Sequence, residues 1–206
     1  MSLLDFVRGP ALQWSVFVFI VGVLWRLFGV LLLRSKKDLS EPRNRAAWKG
    51  LRLIALRSWP RREFLEGIAF GEVMGYAFHV GLALIFFGYA PHIAFIRRVT
   101  GLSWPALPDA VMYVAAAVTI VSLVFAGAIR FTDPVRRTIS TADDWITWTV
   151  TFLPVVTGMA LSIEPSASIL ARERVLYDGP LAVHLLSLEL LLIWFPFGKL
   201  MHAFTI

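Results

Sequence analysis

All four histidines of the 206-residue chain fall within or at the ends of two apolar stretches, His79 and His92 on one, His184 and His202 on the other. A neutral imidazole offers a metal a strong nitrogen ligand at little burial cost. Two helices can place one imidazole on each side of a flat macrocycle, which points to haem iron with both axial positions filled. Such a centre has no position open for oxygen or substrate, so its chemistry is electron transfer. His184 and His202 are eighteen residues apart, five whole turns, which on one continuous helix puts both on one face about 27 Å apart. That spacing suits two stacked cofactors. His79 and His92 are thirteen residues apart, about 20 Å along a straight helix but turned by about 220°. Pro91, beside His92, can bend or end the helix and reorient it. If the two stretches run antiparallel, His79 pairs with His202 at one end and His92 with His184 at the other. The plainer reading of any single membrane histidine is a hydrogen bond between helices.

Other residues bear on the same chemistry. Gly67, Gly71 and Gly75 repeat every four residues in register with His79, a small-residue face that admits a second helix or a flat ring. Glu72 lies two turns before His79, and Glu189 five residues after His184. A carboxylate in an apolar span orients an imidazole, relays protons or pairs with a cation such as Arg26. Arg26, Arg130, Arg136 and Arg137 are candidates for haem propionates, because a guanidinium matches a carboxylate in bidentate fashion. Their commoner role is snorkelling to phosphate headgroups.

The elements that must position these residues are membrane helices. Hydrophobic residues make up 58% of the chain, charged residues 17%, and the mean hydropathy is +0.71, far from the balance of a water-soluble domain. Apolar stretches at about 11–33, 66–95, 110–129, 145–163 and 181–202 each approach the ~20 residues that cross a ~30 Å hydrocarbon layer. The expected fold is all-α, a single membrane domain of five transmembrane helices. The first stretch is too long for a signal-peptide core, so it is expected to stay in the mature protein. Zero cysteines exclude disulfides, thiolate-bound zinc and any cysteine-ligated iron–sulfur cluster carried by this chain.

The net charge of +6 is resolved by position. Residues 34–62 carry ten Lys or Arg against Asp38 and Glu41, which makes that loop cytoplasmic by the positive-inside rule. Alternation then puts the N-terminus outside, and Arg130, Arg136, Arg137 and Lys199 inside. The basic excess is an orientation signal and calls for no nucleic-acid partner. Within the loop, Ala47, Trp48, Leu51, Ile54 and Ala55 fall at helical spacing with Arg45, Lys49 and Arg52 on other sides. That pattern predicts a short helix at the membrane surface, facing lipid or offering a platform to a cytoplasmic partner.

Three stretches carry a resemblance. They are Phe78-His79-Val80-Gly81 with Ile85-Phe86-Phe87-Gly88; Asp133-Pro134-Val135-Arg136-Arg137 through Thr141-Ala142-Asp143; and His184 followed by Phe195-Pro196-Phe197-Gly198-Lys199-Leu200 and His202. In order and spacing the chain resembles the cytochrome b (gamma) subunit of respiratory nitrate reductases and related heterodisulfide-reductase-like membrane subunits. The resemblance implies a dihaem, quinol-oxidising subunit that passes electrons inward to cytoplasmic iron–sulfur and catalytic subunits. It assigns His79 and His202 to the inner haem and His184 to the outer haem. The fourth ligand departs from the pattern: Tyr89 stands where the family has a histidine after Phe-Phe-Gly, and His92, three residues on, is the substitute. The quinol site departs too. Where relatives have a lysine leading into the third helix, residues 105–111 have none and offer Asp109.

The function expected is therefore a haem b subunit of a multi-pass cell (inner, cytoplasmic) membrane complex, holding two haems, or one if His92 is no ligand. It would move electrons between quinol near His92 and Asp109 and a cytoplasmic partner that carries the catalytic site. The rivals are a haemless membrane anchor and a small proton-coupled transporter that uses Glu72, Glu189 and the histidines.

Overall fold

A computed structural model describes residues 2–33, 47–57, 65–162 and 178–205. Among these the chain is helical throughout, without strands. The N-terminal rod comprises α1 (Leu3–Phe6), a π-helical turn (Val7–Ala11) and α2 (Leu12–Leu32). Ser2 and Asp5 close its N-terminus with a capping box, which satisfies donors that no preceding turn can meet. The turn widens where Pro10 lacks an N–H for the ordinary α-helical ladder. Then follow α3 (Ala47–Arg57), α4 (Leu65–Gly88), α5 (Ala90–Thr100), α6 (Asp109–Thr132), α7 (Pro134–Ile139), α8 (Ala142–Leu161), α9 (Asp178–Trp194) and a 3₁₀ turn (Lys199–Ala203).

Among the described residues three helices are long and apolar enough to cross a membrane: Leu3–Leu32, Ala69–Gly88 and Asp109–Thr132. Composition and length explain why two of the five expected spans fall short. α8 opens on Asp143 and Asp144 and carries several threonines, and the described part of α9, from Asp178, has 17 residues before Phe195-Pro196 ends it. The segments 34–46 and 58–64, with most of the basic loop, and 163–177, with Arg172 and Arg174, lie outside the described residues.

The long helices lie side by side: α2 packs on α9, α9 on α8, α8 on α6 and α6 on α4. Small residues set the closest approaches. On α6, Ala115, Ala116, Thr119 and Ser122 form a buried face, and Gly81 of α4 sits so near Thr119 that a Cβ at 81 would overlap the Thr119 hydroxyl. Gly127 of α6 lies against the Trp148 ring, whose Nε1–H donates to the Leu123 carbonyl at 2.8 Å. α4 and α9 are not among the closely packed pairs. His79 of α4 and His184 of α9 stand on the two sides of the gap between them, with His92 on α5 and His202 on the 3₁₀ turn.

Two expected helices are corrected. The stretch 66–95 is not one helix: Tyr89 is extended (φ −79°, ψ 127°) and separates α4 from α5, with Pro91 in the first turn of α5. Proline restricts the preceding residues away from helix and starts a new one readily. The stretch 181–202 also ends early, at Trp194, because Pro196 cannot donate to the ladder. His202 therefore sits on the 3₁₀ turn, not five turns along one helix from His184.

Candidate functional site

Despite both breaks, the histidines meet in twos. The rings of His79 and His202 have centroids 6.1 Å apart and stand at 90° to each other. Those of His92 and His184 are 6.4 Å apart and within 11° of parallel. The break at Tyr89 is what turns His92 toward α9. The turn after Trp194 does the same for His202.

In all four rings it is Nδ1 that is engaged. His79 donates to the Gly75 carbonyl at 2.7 Å, His92 to the Ile85 carbonyl at 3.0 Å and His202 to the Lys199 carbonyl at 2.8 Å. A carbonyl only accepts, so in these three rings the proton is on Nδ1 and the lone pair on Nε2. His184 Nδ1 lies 3.1 Å from the Thr157 hydroxyl, whose own proton goes to the Leu153 carbonyl at 2.7 Å. The Thr157 oxygen is thus the acceptor, and His184 shares the tautomer of the other three. Gly158 fits beneath this ring: its Cβ, if added, would lie 3.0 Å from His184 Cε1.

No family model matches the sequence. A protein of Nitratidesulfovibrio vulgaris (strain Hildenborough) is 31% identical over 209 residues, covering 96% of this chain and 85% of that protein. The chain belongs to that protein's family.

The arginines divide. Arg26 of α2 lines a cleft of ≈ 530 Å³ together with His202, Asp143 and Lys199. Arg136 approaches Gly71, within 3.6–3.9 Å of where a Cβ would stand, and pairs with Asp133 at 3.6 Å. Arg130 is taken up otherwise: it bonds Asp144 at 2.9 Å and Ser140 at 3.1 Å. Arg137 is exposed in the last turn of α7. Gly75, one turn before His79, has open space on its Cα side, so the small-residue face is not filled by a neighbouring helix there.

At the other end of α4, Tyr89 stands 5.3 Å from the His92 ring and receives a 3.4 Å hydrogen bond from Ser162. Trp104 donates to the Phe87 carbonyl at 2.6 Å, and Leu107 N–H to the Gly88 carbonyl at 2.9 Å, folding the segment before α6 over the break. Asp109, half-buried in the first turn of α6, is carried to this end of the bundle.

Sequence reasoning missed Asp144. Its carboxylate is 4% exposed and receives Lys199 at 2.5 Å, Arg130 at 2.9 Å, and the Thr141 N–H and hydroxyl at 2.9 and 3.0 Å. Burial alone pushes this carboxyl up, but Lys199, Thr141 and Arg130 outweigh it and hold it well below the usual carboxylate range. The signal was present as Thr141-x-x-Asp144, a capping-box pattern ahead of an apolar run. Among the described residues no three His, Asp or Glu side chains converge as ligands of one ion.

Proposed function

We propose that the chain is an integral membrane cytochrome b that carries electrons between quinol and a cytoplasmic oxidoreductase partner. The observation that carries this reading is the twofold grouping of histidines between α4 with α5 on one side and α9 with the 3₁₀ turn on the other. A metal–imidazole bond of about 2 Å on each side of one iron puts the two ring centroids about 6 Å apart. The separations of 6.1 and 6.4 Å fit that demand at both pairs. The tautomer fits too: a ligating imidazole ordinarily donates its other N–H to a carbonyl or similar acceptor, which fixes the ring and raises its basicity. A pair of ligands suits a metal whose remaining four ligands come with the macrocycle.

Haem b, when bound, supplies one-electron carriage between the two faces. The chain's own residues do the rest. His79 and His202 hold the haem at the basic end, and His92 and His184 the other, with Thr157 and the Ile85 carbonyl orienting the second pair. Gly75 leaves room for the ring edge. Arg26 and Arg136 are placed to meet propionates, whereas Arg130 serves Asp144. Quinol is read at the end holding His92 and Asp109, beside the haem that His92 holds, where the Tyr89 phenol and the Asp109 carboxylate offer hydrogen bonds to its hydroxyls and a place for its protons.

The same reading assigns five spans with the N-terminus outside and the C-terminus in the cytoplasm, in the cell membrane. It takes the likeness to the nitrate reductase gamma subunit as a guide to the partners, cytoplasmic iron–sulfur and catalytic subunits docking at the basic end. The dithionite-reduced purified protein should show a b-type α band, with two haems by pyridine-haemochrome assay. His79→Ala or His202→Ala should remove one haem, and His92→Ala the other, while the protein still inserts. A well-folded, haem-supplied protein without the band would overturn the reading in favour of a haemless anchor or a proton-coupled transporter.

A further inference from the structure

Glu189 lies on α9 between the two histidine levels, five residues after His184 and thirteen before His202. It is 4% exposed, and its Oε1 is buried without a hydrogen-bond partner. The helices that pack on α9 fix what stands around it. Val7 clusters with Ala182, Phe19 packs on Phe195, and Gly22 meets Pro196, so α2 runs parallel to α9 and brings Ser15 to the level of Glu189. Thr157 bonds His184, and Trp194 donates to Thr147 at 3.2 Å, so α8 runs antiparallel and brings Thr151 to the same level. Both hydroxyls are buried, at 0% and 7% exposure.

Neither hydroxyl has a proton to give. Ser15 donates to the Leu12 carbonyl at 2.9 Å, and Thr151 to the Thr147 carbonyl at 2.7 Å. A carboxylate at this level has no donor to hold its charge, which a neutral carboxylic acid does not require. The charged groups of the packed elements lie elsewhere. Arg26 of α2 and Asp143 and Asp144 of α8 are at the basic end, and Asp5, Arg8 and Asp178 are at the opposite end. On the histidine-bearing side the nearest titratable groups are His184 and His92, both read as neutral ligands. Among the described residues no ion pair involves Glu189.

An unpaired carboxylate in this setting is strongly disfavoured unless a nearby positive charge stands in as counter-ion. A ferric haem with two neutral imidazoles carries one net positive charge, and a ferrous one carries none. About 7.5 Å of helix rise separates Glu189 from His184.

We propose that Glu189 is a redox-linked proton site; this rests on the haem reading above. If quinol reduced the haem held by His184 by one electron, the Glu189 carboxylate would take one proton from bulk water and become a carboxylic acid. Reoxidation releases that proton, so the net charge of the buried region stays constant through the cycle.

Redox-difference infrared spectroscopy of the purified holoprotein tests this. Wild type should show a carboxylic C=O band on reduction that shifts in D₂O, and a haem midpoint potential that falls as pH rises. In Glu189→Gln both haems should remain by count, the band should be lost and the pH slope should diminish. Glu189→Asp should restore a displaced band. If wild type lacks the band, or Glu189→Gln keeps both the band and the slope, the proposal fails while the haem reading stands. If neither protein shows a b-type spectrum, the haem reading itself has failed.

Discussion

At the scale of single residues the basic end depends on Asp144. Four donors from three separate elements converge on its carboxylate: Thr141 ahead of α8, Arg130 from the end of α6 and Lys199 from the 3₁₀ turn that carries His202. Removing the charge leaves Arg130 and Lys199 half in solvent, where water replaces part of what they lose. Asp144→Asn should therefore destabilise by about 1–2 kcal/mol, less than a fully buried ion pair would. The pH dependence has a definite sign. The native carboxyl is held below its unfolded value of about 3.9, so its contribution is complete above that pH and is lost as pH falls toward the native value. Thermal unfolding in detergent at pH 7 and pH 3.5 checks both points. Wild type should lose stability between them by more than Asp144→Asn does. Because Lys199 and His202 share one short turn, the variant should also weaken haem retention at His79 and His202 before it affects His92 and His184.

At the scale of elements, the structure depends on close approaches that small residues permit. Gly81 of α4 faces Thr119 of α6, and a methyl group there would overlap the Thr119 hydroxyl. Gly81→Ala should thus lower the unfolding temperature, with an overpacking cost of about 1–3 kcal/mol. Adding Thr119→Ala removes the oxygen in the way, so the double variant should lose less than the two single variants together, a coupling that two independent sites would not show. The hydroxyl bonds the Ala115 carbonyl of its own helix, so Thr119→Ala alone should cost about 1–2 kcal/mol for the lost hydrogen bond and buried methyl. How much of this was legible beforehand follows from the same physics. The four histidines and their antiparallel pairing could be read because imidazoles are sparse in apolar helices. The helix ends could not. Pro91 and Pro196 were visible, but whether a proline kinks a helix or ends it depends on the neighbours that re-satisfy the freed carbonyls. The partner of Arg130 could not be read for a similar reason: Asp144 becomes buried only when α6, α8 and the last turn come together.

At the scale of the whole molecule, the arrangement predicts sidedness. Each long helix runs the full length of the bundle, so Ser2 and Asp109 lie at one end and Lys199 and Thr205 at the other. Arg26, Arg130, Arg136, Arg137 and Lys199 belong to the second end, and the sequence that follows α2, residues 34–62, carries ten more Lys or Arg. The bilayer reads that asymmetry: Lys and Arg near span ends are retained on the cytoplasmic side. The helix α3, with Trp48, Leu51 and Ile54 exposed and Lys49, Arg52 and Arg57 on the same short segment, suits the anionic surface there. The chain has no cysteine, so single substitutions report position without background. In intact cells, Ser2→Cys should react with a membrane-impermeant maleimide. Thr205→Cys should react only after the membrane is opened. The reverse pattern would invert the orientation and place the His92 and His184 pair at the cytoplasmic face. Labelling of both from one side would require an even number of crossings, and with it the loss of one of the two shortest candidate spans, α8 or α9. The second outcome bears directly on the histidines. α9 carries His184, and if it did not cross, His184 and the 3₁₀ turn bearing His202 could not face opposite ends of α4.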